Sequence, residues 1–208
     1  MLSAIAGSAA LVFGTGQSQA DVLIDIAPPS TNGSSISLTQ ANAIGFSLAA
    51  DYFDVMIEAS LVSTLAGNSG TAYLTTAIGA GTTAADVVAS TNFDFAQVGN
   101  VSADVSFVGL FDGLSLGAGD YFLVFGAPLS GDGFISLSSN PYMLDPNASV
   151  GDMFFSPAAD LDPNFIPAST FTVSGLGNRY FRVEGVIPAP ASLGLLGFGA
   201  LAMSRRRR

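Results

Sequence analysis

The chain is predicted to be all-β, an antiparallel β-sandwich or jelly-roll-like single domain. Apolar residues alternate with polar ones at period two, and such runs recur about ten times along the body. Turns containing Gly, Asn and Asp separate them at short intervals, with no credible long helix between. Many short strands of this kind close into two packed sheets far more readily than into helical layers.

In chain order, "VLIDI" (22–26), "SISL" (35–38) and "GFSL" (45–48) are the first strand candidates. "FDVMIEASL" follows, in which Phe53, Val55, Ile57, Ala59 and Leu61 alternate with Asp54, Met56, Glu58 and Ser60; the first set is expected to face the core and the second to face solvent. "TAYLTTAI" (71–78) comes next, and Val101, Ala103, Val105 and Phe107 repeat the alternation against Ser102, Asp104 and Ser106. "YFLVF" (121–125) is apolar throughout and reads as a strand buried on both faces, entered by a tight turn over Gly117 to Asp120. "FISLS" (134–138), "FTVSG" (171–175) and "YFRVEGV" (180–186) complete the set. Ser139 to Pro167, with prolines at 141, 146, 157, 163 and 167, reads as a long irregular excursion.

Charge and missing residue types exclude whole classes of function. Sixteen Asp and Glu stand against six Arg with no Lys, and four of those Arg lie at 205–208; without that tail, two Arg face sixteen acids, a net charge of −14. Such a body repels nucleic acid, whose binding depends on cations that replace counterions along the phosphates. With no Cys there are no disulfides, thiol nucleophiles or zinc–thiolate sites, and with no His there is no Ser-His-Asp chemistry or histidine metal ligand. Without Lys there is no Schiff base. Only carboxylate or hydroxyl chemistry is left for an enzyme, so the chain is read as non-enzymatic.

Both ends look like processing signals. Residues 1–20 carry an apolar stretch from Leu2 to Phe13, then a polar segment closing on Ser18-Gln19-Ala20; small residues at 18 and 20 suit signal-peptidase cleavage between Ala20 and Asp21. Residues 21–186 form the expected extracellular domain, and 187–208 a separate tail. In that tail the fifteen residues Ala189 to Met203 are apolar apart from Ser192. As a helix they would span roughly 22 Å, short of the ~30 Å hydrocarbon core, which suits a transient anchor. The arginines would stay cytoplasmic by the positive-inside rule.

"IPAPASLGLLGFGALAMSRRRR" (187–208) resembles the PEP-CTERM sorting signal of bacterial exported proteins: a Pro-Glu-Pro-like motif, a short apolar helix and a basic cluster, in that order. By position, Pro188, Ala189 and Pro190 stand at the motif, residues 191–203 at the helix, and Arg205, Arg206, Arg207 and Arg208 at the basic end; Ala189 replaces the usual Glu. The resemblance implies that an exosortase, a membrane-embedded transpeptidase-like enzyme, removes the tail. It also implies transient membrane anchoring followed by a place at the cell surface or in an exopolysaccharide-rich matrix. "LSLGAGDYFLVF" (114–125) is similar to a strand pair common in extracellular sandwiches of these proteins.

Sites within the body are few. Asp160-x-Asp162-x-Asn164 has the spacing that opens many calcium loops, yet its sixth position is Phe165 instead of Gly and its twelfth Phe171 instead of Glu. Asx turns beside Pro163 are the expected outcome, with calcium as the one candidate cofactor. Asp132, Asp145 and Asp152 could add oxygens to such a site. A carboxylate-only hydrolase would need two acids flanking a cleft, and Glu58 and Glu184 are the chain's only glutamates. Tyr52, Tyr73, Tyr121, Tyr142 and Tyr180 could stack on sugars in a carbohydrate-binding module for exopolysaccharide, although core and rim packing is the expected role. The leading expectation is a structural or adhesive protein of the envelope or matrix. Signal peptidase and exosortase would process it, and exopolysaccharide or envelope components would be its partners.

Overall fold

A computed structural model describes residues 20–26, 30–37, 40–126, 131–175 and 178–187. Among them the chain forms β1 (Asp21–Ile26), β2 (Ser30–Ile36), β3 (Gln40–Leu48), β4 (Tyr52–Ser63), β5 (Ser69–Thr75), β6 (Val87–Asp94), β7 (Ala96–Gln97) and β8 (Phe107–Leu116). It continues through β9 (Gly119–Phe125), β10 (Gly133–Ser138), β11 (Tyr142–Leu144), β12 (Ala148–Pro157), β13 (Thr172–Val173), β14 (Asn178–Arg179) and β15 (Phe181–Val186). Among the described residues, helix is confined to single 3-10 turns at Ala84–Asp86, Ala158–Asp160 and Ile166–Ala168. Among the described residues no helix is long and apolar enough to cross a membrane.

The first sheet runs β11-β1-β15-β4-β10-β14, with β2 on β10 and with β7 and β8 on β4; the second runs β13-β12-β3-β9-β5-β6. Every pairing is antiparallel except β4 with β7. Side chains from both sheets make one core: Ile24, Ile57 and Phe181 of the first meet Ile44, Leu74 and Phe125 of the second. Phe46 packs on Tyr121 and on Phe181 with ring centroids 5.6 and 6.0 Å apart, so aromatic rings span the interior. The described residues therefore form a sandwich of two mostly antiparallel sheets.

Segment 178–186 changes partner midway. β14 pairs with β10 and β15 with β4, and Tyr180 bridges them by donating its N–H to the Ser136 carbonyl and accepting from the Ser60 N–H. The buried hydroxyls of Ser60 and Ser136 bond each other across this junction at 2.8 Å, which lets polar groups sit in the core at little cost.

"YFLVF" is indeed buried on both faces. Tyr121, Leu123 and Phe125 point into the main core, while Val124 joins Ala41, Ala43 and Ile166 in a second cluster on the outer side of the second sheet. The segment after β12, with the 3-10 turn Ile166–Ala168, covers the part of that outer side over Ala41, Ala43 and Val124 and leaves the rest open.

Three expectations are corrected. In β4, Val55, Ile57, Ala59 and Leu61 face the core as alternation requires, but Phe53 is exposed and Tyr52 takes the inward place. Asp54 adopts a left-handed φ of 49°, and the register with β8 shifts between Tyr52 and Val55, so one extra residue reverses the facing upstream. Residues 101–106 are not strand, because Asn100 and Asp104 close a local turn. Asn100 accepts from the Ser102 N–H through its side chain and from the Ala103 and Asp104 N–H groups through its carbonyl, and the Asp104 carboxylate accepts from the Asn100 N–H. The excursion from 139 to 167 contains β11 and the ten-residue β12, the latter an interior strand of the second sheet. Pro141 and Pro146 lie outside these strands and Pro157 closes β12, so no proline interrupts a ladder.

Candidate functional site

The body's first and last strands are neighbours. β1 and β15 pair antiparallel with Asp21 opposite Gly185 and Val22 opposite Glu184, so the chain enters and leaves at one end of one sheet. Ala20 and Asp21 are both exposed there. Loops gather round this end: the Ala118 N–H donates to the Asp51 carboxylate, the Ala49 N–H to the Asn147 carbonyl, and the Asp145 N–H to the Leu23 carbonyl. Burial, and next the charge of Asp145, holds the Tyr52 phenol above its usual range; Asp21 adds to the effect. On the outer face of the same end, Val22, Phe53 and Ile187 are 48, 47 and 40% exposed. Pro188, Ala189, Pro190 and Arg205 to Arg208 lie outside the described residues.

Arg182 organises the outer face of the first sheet. It contacts Asp25 at 3.2 Å, Glu58 at 3.8 Å and Glu184 at 4.0 Å, and lies 5.0 Å over the Phe107 ring. Both glutamates are thus brought together, but with a guanidinium among them. Its hydrogen bond to Asp25 is the main reason the Arg182 pKa is raised, and the one guanidinium partly offsets three carboxylates in a surface network.

A deeper polar feature escaped sequence reasoning. Arg179 is fully buried between the sheets, with Nε and Nη2 donating to Asn42 Oδ1 at 3.2 and 2.9 Å. The same oxygen accepts from Ser34 Oγ at 2.8 Å, and Asn42 Nδ2 donates to the Ser35 carbonyl at 2.6 Å. Desolvation lowers the Arg179 pKa to about 10, leaving it charged at neutral pH. Tyr142 donates to the Arg179 carbonyl at 2.7 Å, and burial pushes its phenol far up. Among the described residues Arg179 Nη1 has no partner, while Nε and Nη2 clamp β14 to β3 through an amide in place of a carboxylate. Only the isolated arginine in an acidic body hinted at it.

The open face of the second sheet carries a groove with room for about 240 Å³, lined by Gly45, Ser47, Asp120, Phe122, Asp152 and Phe154 among others. Its floor is bare backbone. A side chain on Gly151 would begin 3.6 Å from the Gly45 carbonyl oxygen, and the β12 ladder shifts register between Val150 and Met153 at that point. Phe122 lies across Gly45 and meets Phe154 edge-on at 6.0 Å. Ser47 Oγ donates to the Asp120 carboxylate, which fixes that group at the rim.

The calcium-like spacing resolves into turns. Asp162 Oδ1 accepts from the Asn164 and Phe165 N–H groups at 2.9 and 3.2 Å, while Asp160 uses its carbonyl to hold the Thr170 N–H at 3.0 Å. Among the described residues no group of three or more His, Cys, Asp or Glu stands close enough to hold a metal ion. Tyr52, Tyr121 and Tyr180 are buried, and Tyr73 and Tyr142 are half-buried, which places three of the five candidate sugar platforms in the interior. No protein-family profile, curated protein or solved structure matches the chain.

Proposed function

We propose that the protein is exported to the bacterial cell surface or extracellular matrix, where it has a structural or adhesive role. Signal peptidase removes residues 1–20, and an exosortase processes residues 187–208 after their transient insertion in the membrane. One observation carries this reading: β1 starts at Asp21, β15 ends at Val186, and the two lie side by side in one sheet. Among the described residues, β1 and β15 pair with strands of the body. Both cuts would fall at the same end of the sandwich, the first directly before β1 and the second beyond β15.

Intact-mass measurement of the native protein from the membrane and from the culture medium tests it. The expected released species begins at Asp21 and ends near Pro188. Membrane-bound protein that retains Arg208 as its sole form would overturn the sorting step.

The groove on the second sheet favours a second reading, a carbohydrate-binding module. Aromatic edges beside two carboxylates over a bare backbone floor match the needs of a sugar ring, whose C–H face packs on aromatics while its hydroxyls donate to carboxylates. On this reading, Asp120→Asn combined with Asp152→Asn weakens binding to host exopolysaccharide by about tenfold, in line with two lost charged hydrogen bonds. Equal retention of both proteins on the immobilised polysaccharide would count against it.

A further inference from the structure

Among the described residues, eight large apolar side chains stand exposed, and four of them gather at one end of the sandwich. Val22 is the second residue of β1, Phe53 sits opposite Val186 at the close of β15, and Ile187 follows. Leu144 ends β11 opposite Ile24 of β1, next to the Asp145 N–H that bonds the Leu23 carbonyl. Single exposed apolar residues are ordinary on any surface, but a group of them where the chain enters and leaves marks a contact surface.

Chain length identifies what these residues meet. The apolar run starts at Ala189, three residues beyond Val186, the last residue of β15. Three residues reach about 10 Å at full extension, and the headgroup layer on each side of a bilayer is about 5–7 Å deep. With residues 189–203 inserted, this end of the body stands in or against the headgroups. The opposite end, where Leu65 is exposed, stands far off, because the twelve residues of β4 run from Tyr52 to Ser63 between the two, about 36 Å. Charge selects the lipid. Asp21, Asp51 and Asp145 lie at this end of a body with sixteen acids against two Arg outside the tail, so an anionic surface repels it and a zwitterionic one does not.

We propose that this end of the sandwich is a membrane seat: Val22, Phe53, Leu144 and Ile187 enter the interfacial layer of a zwitterionic bilayer, a role that rests on the insertion of the tail proposed above. Half-exposed apolar side chains beside carboxylates suit that layer, where apolar groups can sink while charged ones stay hydrated. The tail supplies the attachment and the seat supplies orientation. A seated body holds Pro188, Ala189 and Pro190 at the bilayer surface, within reach of a membrane-embedded processing enzyme.

The chain has no Trp, so a single introduced Trp reports its own surroundings. Full chains that carry Phe53→Trp, Leu65→Trp or Phe198→Trp are reconstituted with phosphatidylcholine vesicles whose brominated acyl chains quench Trp on contact. Phe198→Trp, in the tail, is expected to be quenched and reports insertion itself. Phe53→Trp emission is expected to shift to the blue and lose most of its intensity, while Leu65→Trp emission keeps both wavelength and intensity. Adding Val22→Asp with Leu144→Asp to the Phe53→Trp chain puts two carboxylates in the seat, and its quenching is expected to fall. Both positions are exposed, so unchanged circular dichroism verifies the fold. With Phe198→Trp quenched, a Phe53→Trp signal quenched no more than Leu65→Trp, or unmoved by the two carboxylates in a folded protein, would overturn the seat and leave the anchor intact. An unquenched Phe198→Trp would remove the anchor and the seat with it.

Discussion

Asn42→Ala is expected to destabilise the protein by about 3 kcal/mol, the upper end for losing hydrogen bonds to a buried charged group. Asn42 Oδ1 is the acceptor for two nitrogens of the buried Arg179 and for Ser34 Oγ. Among the described residues every ion pair belongs to Arg182, so no carboxylate takes over. Among the described residues, the one other bond to the guanidinium is a long one, 3.5 Å, to the Phe154 carbonyl. Truncation at 42 leaves a desolvated cation nearly bare. Adding Arg179→Met removes that cation with a side chain of similar length, so the double variant is expected to regain much of the loss. Urea unfolding of the two single variants and the double variant measures the coupling. Strict additivity would show that the clamp contributes only packing.

Gly133→Ala is expected to cost about 3 kcal/mol, at the upper end of ordinary overpacking. A Cβ at this position would overlap three ring atoms of Phe95. That ring has no free side to retreat to: it is buried and packs edge-on against Phe93 at 5.0 Å. Gly133 also opens β10, opposite Ile36 of β2, so displacing the backbone instead would disturb that ladder. Phe95→Leu alone destabilises by loss of ring burial, but combined with Gly133→Ala it relieves the clash, and the pair is expected to cost less than the sum. The same denaturant midpoints decide this. A Gly133→Ala variant within 0.5 kcal/mol of the parent, the scale of a neutral surface change, would mean that the ring adapts freely.

Local pattern carried far in this chain where residues answer to their immediate neighbours. The alternation of Val55, Ile57, Ala59 and Leu61 forecast a half-buried strand, and the apolar run at 121–125 forecast burial on both faces. Local pattern misled where a backbone conformation or a side-chain bond intervened. One left-handed residue, Asp54, turned Phe53 outward, and the Asn100–Asp104 turn held residues 101–106 out of the sheet despite their alternation. β6 and most of β12 went unread: the first is rich in Ser, Thr and Asn, and the second lies in a stretch whose prolines suggested loop. Their strand state depends on pairing with β5 and β3, supplied by distant parts of the chain.

The same division applies to the sites. The terminal segments are proposed as linear signals, which are read by residue order along the chain, so that proposal rests on the sequence alone. The groove draws on β3, β9 and β12, and the Arg179 clamp joins residues 137 positions apart; neither has a local signature. By itself the sequence determined an acidic, all-β chain without thiol, imidazole or lysine chemistry, because composition and period-two burial are properties of residues and their neighbours. Only the tertiary structure decided which strands are edges, which carboxylates gather round Arg182 and that Arg179 is buried without one, because these follow from pairings between segments far apart in the chain.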